Sequence, residues 1–374
     1  MRKEIERAIY SQSEAVKVEK EGAESDQLFK EAEEIFTKQT VLLHKLENSN
    51  IGKKGLRRAE HRAGNAFEKS AGIQRKKQEI MDRLRADLEE LRKNPEKSVE
   101  ISESGRKVAG DENGGLAIEA SNGKKTLSFG DIIADREWGV EYNLDKSVPS
   151  ILRKRYILEC AKKHIGDLFN DQIVQMDPLA ESIVNNKKIL DNRIIARGEV
   201  KYGSDNGLLA ERMAYSFFLR RSYGADKLFR ALPTDVYGDV HDKIDFILKR
   251  IAPTHIRGIK TETVSGTGST GIQFTINKNK NSKNIKPFAR GAAASEESPV
   301  NDVVILKIRG EWPKDIFNKW LEAGRPSGGP EQFLEEDKKA RLLRGALQKM
   351  LTPEEIEKYL EQQGQSKKDM PVAA

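Results

Sequence analysis

One cysteine, Cys160, stands in 374 residues, so no intramolecular disulfide can form and a secreted, disulfide-stapled scaffold is excluded. No apolar run approaches the roughly 20 residues that a membrane-spanning helix needs. The opening Met1-Arg2-Lys3-Glu4-Ile5-Glu6-Arg7 has no apolar stretch of the secretory kind, which leads to the expectation of a cytoplasmic protein without a membrane partner. The five histidines, His44, His61, His164, His241 and His255, have no metal-ligand spacing among themselves and no cysteine partners, which excludes the usual zinc sites. The glycines Gly105, Gly110, Gly114, Gly115 and Gly123 lack phosphate-loop spacing and a following Lys-Ser/Thr, so no nucleotide loop is expected there. Aromatic residues are scarce at 6%.

Charge is what the chain has in quantity. Charged residues make up 33% and the mean hydropathy is −0.67, too polar for one compact globule throughout. Lys and Arg number 66 against 59 Asp and Glu, a net +7. That excess permits nucleic acid as a partner without requiring it.

The expected fold class is α+β, in five parts. Residues 1–94 read as a helical arm, a long-helix hairpin or coiled coil, with Ile80, Leu84, Leu88 and Leu91 at helical spacing and a turn at Asn48 to Gly55. So narrow an apolar stripe needs a partner, either the arm itself or another chain. Residues 95–125, rich in Gly, Ser, Glu and Lys, read as a flexible linker. Residues 126–205 read as a helical subdomain whose main helix opens at Ser147-Val148-Pro149, with Ser147 as N-cap. Its face bearing Arg153, Lys154 and Arg155, together with Arg220 and Arg221 at a second helix end, supplies the candidate phosphate contacts for DNA or RNA. Residues 206–312 form the expected core, with Asn301 to Ile308 as a central strand covered on both faces. Residues 313–374 read as C-terminal helices, the last starting at Thr352-Pro353-Glu354-Glu355 with capping-box spacing, and a disordered tail from about Gln362.

Chemistry concentrates around Asp239 to Leu248. Alternation puts Ile244, Phe246 and Leu248 toward a core and leaves Asp245 among apolar neighbours, where a carboxylate needs compensation by a metal, a base or hydrogen bonds. Gly271 to Ile276 is a second alternating segment carrying Gln273 and Thr275. Glu211 shares a helix side with Leu208, Tyr215 and Phe218. Glu211, Asp245 and Gln273 are the candidate catalytic residues, with Glu211 and Asp245 as ligands of a hard cation such as Mg²⁺ and the Gln273 amide oxygen completing the shell. Asp239 and Asp242 read first as turn formers before the strand, with added charge at the site as the alternative.

Helix, acidic strand and polar-centred strand in this order, over Leu208 to Arg309, resemble the restriction-endonuclease-like superfamily with its PD-(D/E)XK motif. The resemblance implies a mixed-sheet nuclease core, with Glu211 as the helical acid, Asp245 as the strand aspartate and Gln273-Phe274-Thr275 at the (D/E)-X-K element. Gln273 stands in place of the second acid and Thr275 in place of the lysine; Lys260, Lys278 or Lys307 are candidates to replace that cation. The implied activity is Mg²⁺-dependent phosphodiester hydrolysis, or nucleic-acid binding by an inactive core. The segments Asp135 to Gly139, Ser147 to Pro149, Ile272 to Thr275 and Gly328 to Glu331 also resemble uncharacterised proteins of candidate-phyla bacteria, a likeness that implies no activity. The alternative function is a cytoplasmic coiled-coil scaffold or adaptor that self-associates, or takes a partner helix, through residues 1–94.

Overall fold

The computed structural model describes residues 26–34, 37, 41, 48, 66–96, 105–120, 123–196, 198, 200, 204–223, 227–256, 259–275, 300–307 and 312–368. The chain is α+β, with two mixed four-stranded sheets. It divides into two compact units, residues 1–127 with 141–182 and residues 128–140 with 183–374. No helix among the described residues is long and apolar enough to cross a membrane.

In the first unit, residues 26–34 are helical, and helix α1 spans Ala66–Lys93. Met81, Leu84, Leu88 and Leu91 of α1 are buried, at the three- and four-residue spacing of one helix face. That stripe packs against helix α3, Ser150–Met176, in the same unit. Of the turn expected at Asn48 to Gly55, residues 49–55 lie outside the described residues.

Residues 106–110, 116–120 and 123–127 are strands, where a flexible linker was expected over 95–125. Strands β1 (Arg106–Gly110), β2 (Leu116–Ala120) and β3 (Gly123–Leu127) pair antiparallel in succession, and β4 (Tyr142–Leu144) joins β1 in parallel. The β1–β2 turn is built on Asp111, whose carboxylate accepts the amides of Asn113 and Gly115, and on Gly114 at φ 76°, a left-handed conformation that glycine adopts freely. Ser147 does not cap α3. The cap position is Pro149, without a side-chain bond, and the Ser147 hydroxyl accepts the Gly110 amide at 3.0 Å.

The second unit opens with α2, Phe129–Asp135, started by a complete capping box between Ser128 and Asp131. Trp138 follows, 1% exposed, packed against Phe317 and Trp320 and donating its indole N–H to Ser216 at 3.1 Å. Helix α4 (Pro178–Asp191) runs into a π-turn at Asn192–Ala196, and α5 spans Ser204–Arg221. The sheet has the order β5-β6-β7-β8, with β5 (Phe229–Pro233), β6 (Phe246–Ile256), β7 (Ile259–Thr275) and β8 (Asp302–Lys307). The first two pairings are antiparallel and β7–β8 is parallel.

Aromatic packing sets α5 on this sheet. Tyr215 lies 5.6 Å from Phe246, and Phe218 lies 5.6 Å from Phe246 and 5.9 Å from Phe229, between ring centroids. Phe246 is fully buried, a side chain worth about 1.5–3 kcal/mol in transfer from water.

Strand β8 was expected at the sheet centre; among the described residues it is the last strand. It is apolar on both faces because both are covered. Val304 and Leu306 are buried, while Val303 packs on Ile244, Ile247 and Val300. Helices α6 (Trp312–Glu322), α7 (Glu336–Leu347) and α8 (Pro353–Lys368) follow. The expected capping box starts α8, with Thr352 N–H on Glu355 and Glu355 N–H on the Thr352 hydroxyl. Helix α8 continues to Lys368, past the point where a disordered tail was expected.

Candidate metal centre

Glu211 sits on α5 one turn before Tyr215 and two before Phe218. The packing of those two rings on β6 therefore fixes where its carboxylate lies. Asp245 immediately precedes β6. Its own amide donates to the Ile272 carbonyl at 2.8 Å, and its carboxylate accepts the amide of Phe274 on β7. One step beyond the Phe246–Ile272 pair, Asp245 comes opposite Gln273. The Gln273 Oε1 is buried and has no hydrogen-bond partner among the described residues.

The third acid is Asp239. It lies in a second π-turn, Gly238–Asp242, an uncommon conformation that recurs at functional positions. Asp235 accepts the Gly238 amide at 2.8 Å, and Lys243 closes the turn at φ 58°. Carboxylate oxygens of Glu211, Asp239 and Asp245 all lie within 4.8 Å of one another, each residue half-buried. Asp239 thus does more than the turn formation expected of it.

Between two of these acids is Lys187, from α4. Its Nζ lies 3.0 Å from Glu211 Oε1 and 2.6 Å from Asp239 Oδ2. Lys278 is outside the described residues, as are the side chains of Lys260 and Lys307. The described cation that reaches the carboxylates is therefore one that the sequence pattern did not offer. Lys187 and Glu211 also line a cleft of about 70 Å³, with Ile194, Leu208, Leu209 and Arg212. Arg212 is tied to Asp191 at 2.7 Å.

The electrostatics follow from counting. Three carboxylates meet one ammonium, which leaves two uncompensated negative charges if all are ionised. Burial raises the pKa of Glu211; Lys187 opposes that rise and Asp239 adds to it. Burial and then the neighbouring Glu211 hold Asp245 well above the usual carboxylate range, against the Phe274 hydrogen bond. For Lys187 burial favours the neutral amine, but the charges of Glu211 and Asp239 outweigh it and raise its pKa. Glu211 and Asp245 are thus held toward the protonated form by burial first and by the neighbouring carboxylates second.

The donor chemistry fits a hard divalent cation. Such ions take oxygen ligands, and the centre offers three carboxylates, with Gln273 and its orphaned amide oxygen on the strand position opposite Asp245. The residues do not by themselves select Mg²⁺ over another hard divalent ion.

The basic residues expected to meet phosphate are placed differently. Arg153 and Lys154 are each 1% exposed inside the first unit, so the supposed open face of α3 is closed there. Burial lowers the Arg153 pKa, opposed by Asp145. Arg155 is exposed. Arg220 is spent internally, 2.6 Å from Asp131, 3.0 Å from Asp135 and 2.8 Å from Glu331. Arg221 lies over the Phe217 ring at 3.7 Å and donates to the Phe217 carbonyl. Of the five, Arg155 keeps an open side chain.

No family model matches the chain, and neither a curated protein nor a solved structure matches it.

Proposed function

We propose that the second unit is a divalent-metal-dependent phosphodiesterase acting on nucleic acid, built on a restriction-endonuclease-like core. The observation that carries this reading is the meeting of Glu211, Asp239 and Asp245 with a lysine amine at one place. Glu211 and Asp245 are the acids of the motif resemblance; Asp239 comes to them from the π-turn and Lys187 from α4. The order of helix acid, strand acid and Gln273 strand supports the same reading.

In this proposal Glu211, Asp239 and Asp245 hold the cation, with the Gln273 amide oxygen as a further donor. Once bound, a hard cation such as Mg²⁺ supplies Lewis acidity toward a phosphodiester oxygen and toward an attacking water. The chain's own groups do the rest. The Phe274 N–H fixes the Asp245 carboxylate. Lys187 carries the positive charge that Thr275 cannot, and stabilises charge developing on the phosphate.

Cleavage of labelled DNA and RNA, with Mg²⁺ or Mn²⁺ and in chelator, tests the proposal. Hydrolysis is expected only with the cation, and Asp239→Asn and Asp245→Asn are each expected to lower it by about a hundredfold or more, the scale of losing an electrostatic catalytic group. Absent cleavage, or cleavage that survives in chelator or in Asp245→Asn, would overturn it.

A further inference from the structure

We infer that Lys187 is an exchangeable counter-cation: it clasps Glu211 and Asp239 while the centre is metal-free and is released toward the adjoining cleft when a divalent cation binds. This rests on the proposed metal centre and deepens it by assigning how the centre is gated. The Nζ lies at 3.0 and 2.6 Å from oxygens of two of the three acids, so the ammonium occupies acceptor positions that a cation would need. A hard divalent ion sits about 2.1 Å from its oxygen ligands. An ammonium at hydrogen-bond distance from those same carboxylates would then face a double positive charge at close range, in a half-buried setting where screening is weak.

The amine has somewhere to go. Lys187 is also a wall of the cleft formed with Ile194, Leu208, Leu209 and Arg212, and its four-carbon stem allows the head group to move while α4 stays in place. Asp191 lines the same cleft and holds Arg212 at 2.7 Å, so the released amine is the cleft's cation left to take a phosphate at the edge of the carboxylate cluster. Cation and substrate binding are thereby coupled. The cation frees the lysine, and the substrate phosphate gives the freed lysine a partner. The Gln273 Oε1, buried and unpartnered, is a donor that the ammonium leaves unused and the cation takes up.

The test is acetylation of lysine amines in the full-length protein, read by mass spectrometry at Lys187 with exposed Lys76 as internal reference. The measurement is run in chelator and with Mn²⁺, alongside calorimetric titration of Mn²⁺. Release predicts that Mn²⁺ speeds Lys187 acetylation several-fold while Lys76 is unchanged, and that Asp245→Asn abolishes the response. Lys187→Met is expected to bind Mn²⁺ at least about tenfold more tightly, because no charge-assisted hydrogen bonds need breaking. Mn²⁺ binding with flat or slowed Lys187 acetylation would overturn the exchange and leave the metal centre standing. No Mn²⁺ binding at all would overturn both.

Discussion

Replacing Asp245 with asparagine is expected to stabilise the metal-free protein while destroying its cation affinity. The carboxylate oxygens of Glu211, Asp239 and Asp245 lie within 4.8 Å of one another. Two full charges at that separation repel by about 3.5 kcal/mol at an effective dielectric of about 20. The realised gain is smaller. Burial and the neighbouring acids already favour protonated Asp245, and Asp245 loses its attraction to Lys187 when neutralised. A gain of about 1–2 kcal/mol remains, because the amide keeps an oxygen to accept the Phe274 N–H. For a domain of this size that is a rise of about 2–8 °C in Tm.

The pH dependence has a definite sign. The folded-state pKa of Asp245 is raised above the ordinary aspartate value of 3.8, so folding takes up a proton at pH values between the two. The stability from this group is full below the unfolded value and is lost as pH rises through the folded one. The Asn variant should lack that loss. Thermal melts in chelator, from about pH 4 to pH 9 to cover titrating carboxylates, measure both effects. A variant less stable than wild type at alkaline pH, or one with an unchanged pH slope, would refute the reasoning.

Arg220→Met should be strongly destabilising, because it strands Asp131, Asp135 and Glu331 around a missing guanidinium; breaking a buried pair from one side costs about 3–5 kcal/mol. Urea unfolding measures this, and a loss under about 1 kcal/mol, the scale of an exposed pair, would contradict it. Gly130→Ala should also destabilise, since a Cβ there would lie 2.1 Å from the Arg220 carbonyl oxygen and force α2 away from α5; an unchanged melting temperature would contradict it. Burial lowers the Lys77 pKa to about 7 from 10.5, so the unfolded chain binds more protons between those values and stability should rise with pH across that window. Lys77→Met should flatten the rise, and a rise of undiminished slope in the variant would place its origin elsewhere.

The parts of the second unit most legible in the sequence were those where local pattern and packing agree. Phe246 and Leu248 share a strand face because that face of β6 lies on α5, while Ile247 on the other face is buried with Ile244 and Val300. Glu211, Tyr215 and Phe218 share a helix side because the rings seat α5 on the sheet. Asp245 stood out because a carboxylate in that setting needs a partner. Lys187 did not stand out. In Asn185-Asn186-Lys187-Lys188 it reads as solvated surface, and only tertiary packing of α4 carries it to acids 24 and 52 residues away. Asp239 was read as a turn former, which it is, but turn chemistry says nothing of where the carboxylate ends.

Strands β1 to β3 were hidden for a different reason. Each is five residues long, and β3 (Gly-Lys-Lys-Thr-Leu) buries one of them, so glycine and charge outweighed a weak alternation. Arg153 and Lys154 misled in the opposite direction. Long cationic side chains look solvated in sequence, yet their stems pack well when the head finds a partner.

The most direct measurement of the central claim is a crystal structure of the protein soaked in Mn²⁺, with anomalous scattering recorded at the manganese edge. The account predicts one strong peak about 2.1–2.2 Å from oxygens of Glu211, Asp239 and Asp245, within the range of hard-cation contacts, with the Lys187 amine moved off Glu211 and Asp239. A map without manganese at these carboxylates, at concentrations that support cleavage, would contradict it.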